Sequence, residues 1–220
     1  IRDGKVITEG YYKPYSECIE RSMHSATKSF TATAIGLLID EGRLKLEDTV
    51  MSFFPEYAPE NPCDNLKKMN VWHLLTMTCG HDSVPPRKGT DNYVKQFLNH
   101  PVPYVPGTHF QYSSMASYML TAIIRKVTGQ NMTRYLRTRI FEPLGIYDAY
   151  CDTCPMGIEY GGGGLFLRTE DLAKLAVLYL NNGIWNGVRL LSESWVKEFT
   201  KMQFRDSWSH SNPTLKPDWY

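Results

Sequence analysis

The chain has 220 residues, 42% apolar and 21% charged, with 24 Lys and Arg against 23 Asp and Glu. That length gives one domain or two small ones and buries ~70% of the unfolded surface without disulfides or metals, and the composition excludes wholesale disorder. A formal charge of +1 leaves no electrostatic footprint for nucleic acid or an anionic membrane surface, and no apolar run approaches the ~18 residues of a membrane span.

Asp3-Gly4 followed by Val6-Ile7-Thr8 predicts the turn and second half of a β-hairpin. A helix is predicted from Ser25 to Glu41. Phe30, Ala34, Leu37 and Leu38 form its stripe, Ile35 and Ile39 widen it, and Gly42 ends it. Apolar residues on most sides make this a buried helix. From Thr49 to Tyr150 short helices are expected between Pro-rich loops, at 70–78, 91–99, 114–127 (closed by Gly129) and 131–141. The stretch Pro101-Val-Pro-Tyr-Val-Pro-Gly107 cannot be helical and reads as an ordered surface connection. Gly161–Gly164 is either a flexible loop or backbone that approaches a neighbour closely. A further helix runs from Thr169, read as its N-cap, to Leu180, where Asn181-Asn-Gly183 stops it. Another starts at Ser192, and the pattern decays after Phe204.

The five cysteines (Cys18, Cys63, Cys79, Cys151 and Cys154) are odd in number and scattered. This speaks against a disulfide framework and for a reducing compartment, with an exported location still open. Cys151-Asp-Thr-Cys154 invites a zinc or redox reading, but a structural zinc site needs four ligands and no second CxxC or HxxxH supplies them. The chain opens on Ile1 without a Met or a signal-like run, which reads as a start inside a longer chain.

Ser25-Ala-Thr-Lys28 carries the first chemistry. At the start of a helix, positions i and i+3 share a face, so a hydroxyl and an amine come within hydrogen-bond reach. Burial that favours a neutral lysine makes it a base for the serine proton, and the helix N-terminus offers N–H groups to an oxyanion. Ser194-Trp-Val-Lys197 has the same spacing but lies on an amphipathic, solvated helix, so it is set aside. Tyr112-Ser113-Ser114 is the second candidate, between the Pro/Gly loop and a helix. A tyrosine beside a protonated lysine is stabilised as phenolate or passes a proton to a leaving group. Tyr15-Ser16-Glu17 has similar letters and no helix behind it. His73 reads as a packing histidine, no GxSxG elbow occurs, and the glycine run lacks the ending of a phosphate-binding loop.

Several longer stretches stand around these candidates in fixed order. They are Met23-His-Ser-Ala-Thr-Lys-Ser-Phe30 running into Thr33–Gly42, Leu46-Glu-Asp-Thr-Val50, and His73-Leu-Leu-Thr-Met-Thr-Cys-Gly80. Phe110-Gln-Tyr-Ser-Ser114, Phe141-Glu-Pro-Leu-Gly145, and Gly161-Gly-Gly-Gly-Leu165 before Thr169-Glu-Asp-Leu-Ala173 follow. Together they resemble the serine β-lactamase-related family of class C β-lactamases, D,D-peptidases, D-aminopeptidases and esterases. The resemblance implies an α/β (α+β) fold, an antiparallel sheet flanked by helices with an inserted helical domain. Residues 1–48 and 159–220 would form the α/β part and 49–158 the helical part. It implies Ser25 as the acyl-accepting nucleophile, Lys28 as its partner base, Tyr112 as proton shuttle and Ser114 as a substrate contact, with no metal or cofactor. Two departures stand out. Ser114 replaces the Asn of the family's Tyr-x-Asn, and the late-strand Lys/His-Thr/Ser-Gly motif is missing, since His81, His100, His109 and His210 do not supply it. A sheet without its last strands is expected to leave an unpaired edge and to make a 220-residue chain prone to associate.

The expected function is therefore a serine hydrolase forming an acyl-enzyme on an ester, amide or β-lactam-like substrate, a small molecule or peptide. The alternatives are a catalytically silent binding or sensory relative, and a thiol-based metal site at Cys151/Cys154.

Overall fold

The structure is a computed structural model that describes residues 1–2, 4–87 and 91–203. In chain order these form β1 (Arg21–Ser22), α1 (Thr27–Asp40), α2 (Val50–Phe53), α3 (Asp64–Lys68), α4 (Val71–Leu75) and α5 (Tyr93–Leu98). There follow α6 (Ser114–Thr128), α7 (Met132–Leu136), β2 (Tyr150–Cys151), β3 (Leu165–Leu167), α8 (Thr169–Leu180), β4 (Ile184–Trp185), β5 (Val188–Arg189) and α9 (Glu193–Thr200). The mixture of helices and a small antiparallel sheet is the fold class expected from the sequence.

α1 is the centre. Every residue from Phe30 to Leu38 is buried, and α6, α7 and α9 pack on it. Three buried threonines interrupt its apolar surface without leaving unpaired hydroxyls. Thr27 Oγ1 accepts from Leu165 N at 3.2 Å, Thr31 Oγ1 donates to Gly161 O at 2.8 Å, and Thr33 Oγ1 bonds Ser29 O at 2.7 Å. Satisfied hydroxyls are tolerated in a core where orphaned ones cost about 1–3 kcal/mol each. The first two also fasten α1 to β3 and to the glycine run. At Gly36 a Cβ would lie 2.2 Å from Trp195 Nε1, so only glycine lets the indole of α9 lie against α1.

The sheet has order β1–β3–β2, antiparallel, with Arg21 opposite Leu167 and Cys151 opposite Leu165. β4 and β5 form a separate hairpin whose turn residues Asn186 and Gly187 both have positive φ, 48° and 81°, the backbone that Asn-Gly favours. This Asn-Gly pair is a hairpin signal that the sequence reading passed over.

Helix ends follow local chemistry. Ser192 caps α9, its Oγ accepting from Trp195 N at 3.0 Å, and Gly129 closes α6 at φ 72°. Four expectations need correction. The segment 6–8 is not a strand: the chain before it forms only an isolated Arg2–Lys5 bridge, and Val6 and Ile7 are about two-thirds exposed, 65% and 66%. β-branched residues favour strands through packing on a neighbour, which is missing here. Thr169 is the first helical residue rather than the cap; Arg168 precedes it, and its N–H donates to Asp171 Oδ2 at 3.2 Å. The predicted helix 70–78 ends at Leu75, because the backbone of 77–80 pairs with the chain at 104–111 instead. The predicted helix 131–141 is α-helical only to Leu136 and continues as a π-turn, Arg137–Phe141. The fading pattern after Phe204 lies outside the described residues.

Candidate active site

Ser25 sits in a 3-10 turn, His24–Ala26, immediately before α1. The turn is fixed from both ends. Met23 N donates to Leu165 O at 2.8 Å, and the Thr27 hydroxyl holds Leu165 N. His24 takes φ 44° to enter it, a conformation costly for a residue with a Cβ and one that recurs at functional sites. Ser25 is exposed and Lys28, one turn on, is half-buried.

Tyr112 arrives from another part of the chain. The strap 104–111 is paired to the loop after α4 by Gly107 N to Thr78 O at 2.8 Å and Gln111 N to Met77 O at 3.0 Å. Ser113 then caps α6, its Oγ accepting from Ala116 N at 3.2 Å. Held between strap and helix, the Tyr112 hydroxyl donates to Ser25 Oγ at 2.7 Å.

Lys28 Nζ donates to Ser25 Oγ at 3.2 Å, to Ser114 Oγ at 3.4 Å and to Gly162 O at 2.5 Å. These are three neutral acceptors for the three protons of an ammonium. The ammonium also lies 5.0 Å from the centroid of the Tyr112 ring. The Tyr112 phenol is held below its ordinary pKa, chiefly by the hydrogen bond with Ser25, which outweighs the opposing effect of burial, and further by hydrogen bonding to Lys28 and by its charge. All four sequence-predicted side chains (Ser25, Lys28, Tyr112 and Ser114) therefore meet at one point. The sequence reading missed the Gly162 carbonyl. Its signal was the glycine run, and the structure decides that run as close approach: a Cβ on Gly162 would lie 2.8 Å from Ser114 Cβ and Ser114 O.

Beside Ser25 opens a cleft of about 360 Å³, walled by the first turns of α6, by Tyr160 and by Gly162–Gly164.

Comparison with known proteins matches this arrangement to a described family. The sequence model of the Beta-lactamase family matches residues 1–217. The chain belongs to the beta-lactamase family. This beta-lactamase-family chain is similar to the 6-aminohexanoate-dimer hydrolase of Paenarthrobacter ureafaciens, 26% identical over 216 residues, covering 90% of this chain and 55% of that protein. It is also similar to Protein flp of Staphylococcus aureus (strain COL), 31% identical over 160 residues, covering 66% of this chain and 32% of the relative. Among solved structures, a penicillin-binding protein homologue from Caulobacter crescentus superimposes with a TM-score of 0.71 at 20% identity, covering 88% of this chain and 64% of that one. The octameric penicillin-binding protein homologue from Pyrococcus abyssi does so with a TM-score of 0.67 at 24% identity, covering 86% and 50%. The chain thus spans about a third to two-thirds of the lengths of these relatives.

The remaining candidates in the beta-lactamase-family chain are occupied structurally. His73 closes a capping box with Asn70: its Nδ1 accepts from Asn70 N at 3.0 Å and its N donates to Asn70 Oδ1 at 3.1 Å, and burial lowers its pKa. Tyr15 lies under the Arg21 guanidinium, 4.4 Å from its centroid. Cys154 Sγ pairs with the Tyr118 hydroxyl at 3.3 Å, whereas Cys151 Sγ lies 3.8 Å from Tyr160 O. The two thiols face different partners. No group of three or more His, Cys, Asp and Glu that could hold a metal occurs among the described residues. No helix among them is long and apolar enough to cross a membrane.

Proposed function

We propose that this chain carries the acylation machinery of a serine hydrolase that cleaves esters or amides through an acyl-enzyme. The observation that carries the reading is Ser25 Oγ within hydrogen-bond reach of both Lys28 Nζ and the Tyr112 hydroxyl. Ser25 Oγ attacks the carbonyl carbon while its proton passes to the Lys28–Tyr112 pair, which enters the step one proton short, as ammonium and phenolate or as amine and phenol. The tetrahedral oxyanion forms at the start of α1, where backbone N–H groups and the helix dipole favour negative charge. The carbonyl re-forms, the bond to the leaving group breaks, and Tyr112, recharged from Lys28, gives that group its proton. Water then repeats the sequence on the acyl-serine and releases a carboxylic acid. Ser114 and the Gly162 carbonyl keep the Lys28 amine aimed at Ser25.

Intact-mass analysis after exposure to a fluorophosphonate tests this. A single adduct mapped to Ser25, lost in Lys28→Ala, is the expected result. An unmodified Ser25 in folded protein overturns the reading and leaves a binding or sensory relative of the same fold.

A further inference from the structure

α1 presents two polar side chains to the glycine run. Lys28 and Thr31 stand one helical turn apart on the same face, and they meet successive carbonyls. Lys28 Nζ donates to Gly162 O at 2.5 Å, and Thr31 Oγ1 donates to Gly161 O at 2.8 Å. Thr31 is fully buried. Its single hydroxyl proton goes to the nearest acceptor, since the Thr27 carbonyl and the Met132 sulfur lie at 3.3 and 3.2 Å.

The carbonyls need that hold. Gly163 N donates to Tyr160 O at 3.1 Å, so residues 160–163 make a turn whose central peptide joins Gly161 to Gly162. Gly161 O belongs to that central peptide. With glycine at both central positions the peptide can turn over at little steric cost, because neither residue carries a Cβ. A turned peptide would point the Gly162 N–H at α1 beside the Lys28 amine, and the Gly162 carbonyl that follows would lose its fixed aim. Packing does not prevent this. A Cβ on Gly161 would lie 2.9 Å from Thr31 Oγ1 and 2.8 Å from Ser117 O, which wedges the Cα between α1 and α6, but a peptide flip leaves the Cα in place. The Thr31 hydroxyl is what selects the orientation in which both carbonyls face the helix.

We propose that Thr31 is a positioning residue of the acylation site. Its hydroxyl fixes the Gly161–Gly162 peptide, and through it the Gly162 carbonyl that aims the Lys28 amine at Ser25. Thr31 acts through the glycine run and takes no part in the proton transfers. The inference rests on the acyl-enzyme reading, which gives Lys28 its task.

The same helix supplies a control. Thr33 is equally buried, but its hydroxyl bonds Ser29 O and the Tyr179 hydroxyl, neither of them in the glycine run. The test compares Thr31→Val, Thr31→Ser and Thr33→Val by two readouts. One is hydrolysis of p-nitrophenyl butyrate; the other is the 13Cε signal of Lys28 in lysine-labelled protein, assigned as the signal missing from Lys28→Arg. Thr31→Val should shift the Lys28 signal and lower kcat about tenfold, with KM within about twofold of wild type. Thr31→Ser, which keeps the hydroxyl, should restore both. Thr33→Val should lower the melting temperature and change neither readout. Should Thr31→Val not fold, Thr31→Ala also removes the hydroxyl and is read in the same way. An unmoved Lys28 signal in folded protein, or equal effects from Thr33→Val, overturns the proposal. If esters are not hydrolysed and the fluorophosphonate leaves Ser25 unmodified, but the Lys28 signal still follows the Thr31 hydroxyl, the acyl-enzyme reading falls and the hold of Thr31 on Lys28 stands. If wild type and Thr31→Val hydrolyse the ester equally fast, the positioning role falls and the acyl-enzyme reading stands.

Discussion

Two segments of this chain carry the same Ser-x-x-Lys spacing, and only one forms a site. On α9, Lys197 is exposed and pairs with Glu193 at 2.7 Å, while the Ser194 hydroxyl donates to Ser192 Oγ at 3.0 Å. On α1, Lys28 is half-buried and faces three neutral oxygens, and Ser25 receives bonds from Lys28 and from Tyr112. The first lysine is a solvated cation with a counter-ion. The second has only groups that can orient it. Spacing brings a hydroxyl and an amine to one helix face; on α9 their neighbours are local, whereas at α1 tertiary packing adds Tyr112, Ser114 and Gly162.

The contrast can be broken by substitution, and the largest effect falls on the α1 pair. Ser25→Ala and Lys28→Ala should each lower kcat/KM by about three to six orders of magnitude, whereas Ser194→Ala and Lys197→Ala should leave it unchanged. Ester hydrolysis measured side by side checks this, and comparable losses at both sites would sink the assignment. Tyr112→Phe keeps the ring and removes the proton carrier, so activity should fall about 10²- to 10³-fold with the melting temperature unmoved, because the hydroxyl is exposed.

The strap that brings Tyr112 to Ser25 gives a pH dependence. His81, in the loop paired with that strap, is 1% exposed, with Phe97 and His100 against its ring and neither ring nitrogen hydrogen-bonded among the described residues. Burial, helped by the charge of His100 and opposed by Asp82, pushes its pKa down from 6.5 to about 4. The folded state therefore resists a proton that the unfolded state accepts. Stability is full above pH ~6.5 and falls by up to about 3 kcal/mol as pH drops to ~4. Denaturant melts across that range should show the fall, and His81→Leu should flatten it; an unchanged slope in the variant would show that other groups carry it.

Gly162→Ala places a methyl against the Ser114 backbone and displaces the carbonyl that holds Lys28. A loss of about 1–3 kcal/mol in stability is expected, with a drop in activity of about tenfold or more. A fully active, equally stable variant would show that the Gly162 carbonyl does not orient the lysine.

Much of this was readable before the fold. The α1 stripe from Phe30 to Leu38 reports its own burial, since a helix apolar on most sides has to be covered. Gly42, Gly129 and Ser192 mark helix ends because their chemistry is local. The order of the motifs around Ser25, Tyr112 and the glycine run placed the four site residues together. Other features were not readable. The strand at 6–8 failed because β-propensity needs a partner strand, and the sheet escaped because β1, β2 and β3 are only two or three residues long, too short to show a period. Thr169 lost the cap to Arg168 because Asp171 supplied the acceptor instead.

By itself, then, the sequence determined the buried helix and its end before Gly42, and it named a hydroxyl, an amine and a phenol as candidates, because helix burial and helix ends depend on residue type and near neighbours. Tertiary structure alone decided that Lys28 also meets the Ser114 hydroxyl and the Gly162 carbonyl, that Tyr112 reaches Ser25, and that Arg87 stands over Tyr160 at the cleft. These are contacts between segments up to 134 residues apart in the chain, and no local pattern encodes which partner a long-range contact brings.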